Sequence, residues 1–229
     1  MIEFLFLDLD DTILDFKKAE RIAISKTIRD FGVEPTDGLL ARYHVINKWH
    51  WEQLEQGKMD RPQVLEGRFE MLFSELGVAV DKSLCARTYE KNLSIGHYFL
   101  PGAEDAVSRL SKKYRLFLAS NGTASVQKGR MTSANLYRFF EKVFVSQEIG
   151  HNKPAKAYFD ACFASIPGFD PQKAMIVGDS LSSDIQGGIN AGILTCWVNP
   201  SHDKGREDIK PDYEIEALSQ LEVFLDTIQ

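Results

Sequence analysis

Phe4-Leu5-Phe6-Leu7-Asp8-Leu9-Asp10-Asp11-Thr12 is the stretch on which the fold turns. A continuous apolar run that stops abruptly in acids has the form of a parallel strand buried on both faces, its carboxyl end carrying the carboxylates. Three later runs share that form. Leu116 to Ala119 ends at Ser120-Asn121-Gly122, Val143 to Val145 ends at Ser146, and Met175 to Val177 ends at Gly178-Asp179-Ser180. Ile193 to Val198 is a fifth strand candidate, and most intervals after Leu116 are long enough for a crossover helix. This repetition predicts an α/β protein with a doubly wound, Rossmann-like parallel sheet. Tyr213 to Ile228 reads as a short strand and a closing helix.

Between Asp15 and about Leu100 the pattern changes, with apolar residues recurring every three or four positions. Helices are expected over Phe16–Phe31, Asp37–Gln56, Arg61–Leu76 and Lys82–Ile95, with stop or turn signals at Gly32-Val33-Glu34-Pro35, Gly57-Lys58 and Gly77. The chain returns to the β-α pattern after Pro101-Gly102. A helical bundle over residues 15–100, inserted above the carboxyl edge of a sheet built from 1–14 and 101–229, is therefore expected, with the position of a lid.

A chain of 229 residues with 44% hydrophobic side chains can bury a large core without staples. Cys85, Cys162 and Cys196 are widely spaced and form no metal or disulfide pattern, and no leader or membrane-spanning segment is legible, so the cytoplasm is the expected compartment. The net charge of -6 and the dispersed Lys and Arg residues argue against a nucleic-acid polymer or a membrane as partner. Any anion must therefore be bound by local groups.

Ligands of open α/β sheets bind beyond the carboxyl ends of the strands. Those ends deliver Asp8, Asp10, Asp11 and Thr12, then Ser120 and Asn121, then Asp179, Ser180 and, a turn later, Asp184; Lys153-Pro154 stands at the start of a helix after the third strand. Carboxylates converging in one crevice repel, and a hard cation such as Mg2+ relieves that repulsion while leaving coordination sites for a phosphate. Lys153 and the Ser120 hydroxyl would supply a charge and a donor for phosphate oxygens. Asp8 is placed to attack phosphorus, and Asp10, two residues on along an extended segment, to act as general acid and base. Asp11 reads as a cap for the following segment. His44, Trp49, His50 and Trp51 offer rings that could stack on a base or sugar, and His97, Tyr98 and Phe99 are expected at the rim.

Asp8-Leu9-Asp10-Asp11-Thr12, Ser120, Lys153-Pro154 and Gly178-Asp179-Ser180 with Asp184 together resemble, in order and over essentially the whole chain, the four motifs of the haloacid dehalogenase superfamily of phosphohydrolases. The resemblance implies a nucleophile at Asp8, an acid/base at Asp10, and phosphate contacts from Ser120, Asn121 and Lys153. It implies Mg2+ held by Asp8, the main-chain carbonyl of Asp10 and Asp179, with Asp184 assisting. The insert looks like the superfamily's α-helical cap. Within it, Asp15 to Glu20, Glu55-Gln56-Gly57 and Arg68-Phe69 through Gly77 resemble nucleotidases acting on pyrimidine and non-standard nucleoside monophosphates. True dehalogenases lack the acid at the Asp10 position, so its presence favours phosphate ester hydrolysis. A 5'-nucleotidase, with a small phosphorylated metabolite as its partner, is the leading expectation; a phosphosugar phosphatase or mutase on the same site, and a non-catalytic binding module, are the alternatives.

Overall fold

The computed structural model describes residues 1–228. Six parallel strands form one sheet in the order β3-β2-β1-β4-β5-β6. They are β1 (Phe4–Leu7), β2 (Arg115–Ser120), β3 (Lys142–Val145), β4 (Ala174–Gly178), β5 (Leu194–Val198) and β6 (Tyr213–Ile215). In chain order the α-helices are α1 (Phe16–Asp30), α2 (Asp37–Glu55), α3 (Arg61–Glu75), α4 (Lys82–Leu93), α5 (Ala103–Leu110), α6 (Ala124–Ser133), α7 (Ser146–Ile149), α8 (Lys156–Ala164), α9 (Gln186–Ala191) and α10 (Leu221–Thr227). The sheet order reverses at β1, with β2 on one side and β4 on the other. A crevice at such a reversal is where open α/β sheets bind ligands, so Asp8 and Asp10 leave the sheet at its switch point.

Period-two alternation sorts the β1 side chains onto the two faces. Leu5 and Leu7 pack with Val107, Leu110, Met131 and Leu221 of the helices on one face. Phe4 and Phe6 pack with Tyr158, Phe159 and Cys162 of α8 on the other, where Phe6 and Phe117 stack at 5.2 Å. All three cysteines are free and buried.

α1 to α4 close around a separate core of Ile24, Ile28, Tyr43, Phe69, Leu72 and Tyr89. Each begins on a side chain that caps a free amide: Asp15, Thr36, Asp60, where Gln63 completes a capping box, and Asp81. The segments entering and leaving this bundle run side by side. Asp15 N donates to Tyr98 O and Leu100 N to Ile13 O, with a bridge between Leu14 and Phe99. Among the described residues no helix is long and apolar enough to cross a membrane.

Candidate active site

β1 ends in a tight reversal. Asp11 adopts φ 54, and its carboxylate accepts the Phe16 and Lys17 amides at the mouth of α1, beside the Asp15 cap. That use as a cap turns Asp11 away from chemistry and leaves Asp8 and Asp10 to the crevice. Asp8 is buried and its Oδ1 accepts from Lys153 Nζ at 2.7 Å. The same ammonium donates to Asp184 Oδ1 and to Ala119 O, each at 2.6 Å, so all three of its protons are engaged.

Lys153 sits before the cis bond to Pro154, in the loop between α7 and α8. Asn121 fixes it: Oδ1 accepts the Lys153 amide at 2.8 Å and Nδ2 donates to the Lys153 carbonyl at 2.9 Å. The Asn121 side chain braces Lys153, and a phosphate contact from Asn121 has to come from its main chain. The Ser120 hydroxyl accepts from Gly122 N and Gln127 Nε2, which leaves its own proton to donate.

Asp184 reaches the site because the chain after β4 makes a π-turn over Leu181–Ile185, and its Oδ2 accepts the Ser180 amide. Gly178 is required for this. A Cβ there would meet the Asp184 carboxylate at 2.2 Å. Asp179 is held by its carbonyl, which accepts the Trp197 indole N–H at 2.8 Å.

The electrostatics are lopsided. Carboxylate oxygens of Asp8, Asp179 and Asp184 all lie within 4.8 Å of one another, with Lys153 as the cation among them. Burial first, then the neighbouring acids, push the Asp8 carboxyl up to about 8 despite the pull of Lys153. Burial together with Asp8 and Asp184 raises Asp179 well above the usual carboxylate range. Burial alone would lower Lys153, yet Asp184 and Asp8 outweigh it and hold the ammonium above its ordinary range. Three oxygen donors with this surplus of negative charge fit a hard divalent cation. The Asp10 carboxylate stands apart from the three, so its main-chain carbonyl is what it can offer a metal.

Asp10 is tied to residues that motif reading did not single out. Its carboxylate accepts from Arg130 Nη1 and from Gln127 Nε2, the latter at 2.7 Å. Arg130 is fully buried and its Nε donates to Gly96 O, in the segment that returns from the bundle. The two side chains stand three residues apart on α6, a spacing that puts them on one helical face. That spacing was the available signal.

Bundle and sheet enclose a cavity of about 570 Å3, lined from the sheet side by the residues above and from the bundle by Glu20, His44, Asn47, Trp51, Arg68 and Glu90 among others. Trp49, His50 and His97 to Phe99 stay out of this lining. His50 is buried, its Nδ1 on Ile46 O, and Phe99 packs against the sheet core, so these two rings are structural, whereas His44 and Trp51 do reach the cavity. Glu55 and Arg61 both reach from the bundle to the sheet side. Glu55 Oε2 accepts from Ser182 Oγ at 2.8 Å, and burial pushes this carboxyl up to about 7. Arg61 Nη2 donates to Ser146 Oγ at 2.7 Å and to Asn152 Oδ1 at 3.0 Å, and Nη1 to the Asn121 and Gly122 carbonyls.

The model of the haloacid dehalogenase-like hydrolases matches residues 5–198. The chain belongs to that family. It is 39% identical to the HAD-hydrolase YfnB of Bacillus subtilis over 217 residues, 95% of this chain and 92% of YfnB. A crystal structure of YfnB bound to magnesium, in which interdomain movement was found, covers 98% of this chain with a TM-score of 0.94. The pyrimidine 5'-nucleotidase PynA of Streptococcus pneumoniae is 36% identical over 96% of this chain and 93% of PynA. This chain is accordingly a haloacid dehalogenase-like hydrolase.

Proposed function

We propose that this hydrolase is a Mg2+-dependent phosphatase that cleaves a small phosphomonoester through an aspartyl-phosphate, a nucleoside 5'-monophosphate being the favoured substrate. One observation carries the proposal: two acids, Asp8 and Asp10, share a cavity but are differently held, Asp8 by Lys153 among carboxylates and Asp10 by Arg130 and Gln127. Acids with distinct surroundings can take distinct roles.

In the first step an Asp8 carboxylate oxygen bonds to phosphorus as the ester P–O bond breaks, and Asp10 gives its proton to the departing alkoxide. In the second, Asp10 takes a proton from water, the water oxygen bonds to phosphorus, and the bond to Asp8 breaks. The Ser120 hydroxyl donates to a phosphate oxygen, and Lys153, its three protons on Asp8, Asp184 and the Ala119 carbonyl, supplies charge beside the phosphate. Asp8, Asp179, Asp184 and the Asp10 carbonyl would hold magnesium, which supplies the positive charge that lets an ionised Asp8 meet a phosphate. Residues 15–100 serve as a cap over the core of 1–14 and 101–229, excluding water when closed. The resemblance to PynA and a cavity of nucleotide size support the substrate class.

The test is phosphate release from a panel of nucleotides and sugar phosphates, with and without Mg2+, by the parent and by Asp8→Asn. Full activity of the variant would sink the mechanism, and retention of the phosphoryl group on a product sugar would make the protein a mutase.

A further inference from the structure

A bundle held only by packing has no use for buried ions, because apolar side chains of similar volume do as well or better. Here Glu20, Asn47 and Arg68 are 3%, 2% and 2% exposed, and all line the cavity that holds Asp8. Glu20 accepts from His44 Nδ1 at 2.6 Å and Asn47 Nδ2 at 2.7 Å; Asn47 Oδ1 accepts from Arg68 Nη1 at 2.8 Å and Trp51 Nε1 at 3.1 Å. These bonds lock the rotamers of Arg68 and Trp51. The Arg68 guanidinium is further clamped over the Tyr89 ring at 4.7 Å, and its Nε is on Leu65 O.

Glu90 of α4 is different. Its Oε1 is shut off from solvent and has no hydrogen-bond partner among the described residues, although the side chain lines the same cavity. A buried acceptor left unpaired is costly, so this oxygen asks for a donor from whatever fills the cavity. Arg68, engaged through Nε and Nη1, has the rest of its fork left to donate. Trp51, its N–H fixed on Asn47 and the Arg61 guanidinium 5.5 Å from its ring centre, brings a flat apolar ring to the cavity lining. Donor, acceptor and ring plane together match a planar heterocycle with a carbonyl beside an N–H.

We propose that Arg68 and Glu90 read the edge of a pyrimidine ring: Arg68 donates to a ring carbonyl, Glu90 accepts from the ring N–H or exocyclic amine, and Trp51 lies against the ring. The assignment rests on the nucleotide phosphatase reading, since it takes the 5'-phosphate to lie at Asp8. Glu90→Met is the decisive variant, because it removes the acceptor at similar length, and Oε1 has no internal partner whose loss would disturb folding.

Phosphate release is measured on uridine 5'-monophosphate, adenosine 5'-monophosphate and ribose 5-phosphate, and uridine binding by calorimetry. Glu90→Met should lower the ratio of kcat/KM for the uridine nucleotide to that for ribose 5-phosphate roughly 10- to 100-fold, the worth of one hydrogen bond to a charged group, and weaken uridine binding alike. An unchanged ratio, or an equal preference of the parent for the adenine nucleotide, overturns the subsite. A parent that releases no phosphate from any of the three, yet binds uridine through Glu90, overturns the phosphatase reading and leaves the subsite standing.

Discussion

Arg61→Ala should unlatch the bundle from the sheet. Arg61 begins α3, and its guanidinium crosses the crevice to four acceptors: the Asn121 and Gly122 carbonyls at 3.2 Å, Ser146 Oγ at 2.7 Å and Asn152 Oδ1 at 3.0 Å. In an open form water would take up these groups, so only the net worth of each bond counts, about 1 kcal/mol. Counting the two short bonds to side chains gives about 2 kcal/mol in favour of closure, or roughly 30-fold in the equilibrium between closed and open forms. If chemistry needs the closed form, kcat/KM falls by a similar factor of roughly 30. Small-angle scattering and a pair of fluorophores on bundle and sheet would report the opening, and circular dichroism would check that the helices persist. Arg61→Lys keeps the charge but loses the fork, and should fall between parent and Ala. An Ala variant with the parent's kcat/KM and the parent's distance distribution would refute the latch.

The second crossing contact carries a pH signature. Glu55 sits at about 7 in the folded protein against an ordinary 4.5, so its stabilising share is full below 4.5 and is lost as pH rises through about 7; the Tm of the parent should fall relative to that of Glu55→Gln over that window and level off above it. Arg130→Gln removes the buried partner of Asp10 and should lower kcat roughly 10- to 100-fold with little change in KM, since the loss is felt where the proton moves; steady-state kinetics on one phosphomonoester decides it. Gly178→Ala drives a methyl into the Asp184 carboxylate and should lower both Tm and the affinity for Mg2+, read by melting with and without the ion. Asp179→Asn neutralises a carboxyl that burial and two acids disfavour, and should raise the Tm of the metal-free protein while removing the rise that Mg2+ gives the parent.

The strands were legible because each is a short apolar run stopped by a turn residue. Phe4–Leu7 is β1 to the residue, and β2 and β4 extend the expected runs by one residue at each end. The bundle helices were legible from periodicity and from caps such as Asp60 with Gln63. What stayed hidden depends on three-dimensional neighbours. Trp49 and Trp51 are alike in sequence, but only Trp51 turns its ring to the cavity, while Trp49 is 40% exposed. Asn121 stood at a strand end where a phosphate ligand belongs, yet Lys153, distant in the chain, claims both ends of its amide. Arg61, Gln127 and Arg130 look like ordinary polar positions on helices until the partner across the crevice is known.

The partners so found place both acids in contiguous chains of contacts that end in or beside the bundle. Asp8 is held by Lys153, Lys153 by Asn121, and the Asn121 carbonyl accepts from Arg61 of α3. Asp10 is held by Arg130, and Arg130 by the Gly96 carbonyl, where the bundle returns to the sheet. At Gly96 the packing is tight, since a Cβ there would meet Ala19 of α1 at 2.9 Å, and one on Gly129, beside Arg130, would meet the Ser94 carbonyl at 2.6 Å. Close-packed contacts of this kind transmit displacement and do not absorb it. A movement of the bundle therefore bears on the bracing of Asp8 and on the seat of Asp10 together. That geometry ties the orientation of both acids to the position of the bundle, so in the proposed mechanism closure would set nucleophile and proton donor in one motion.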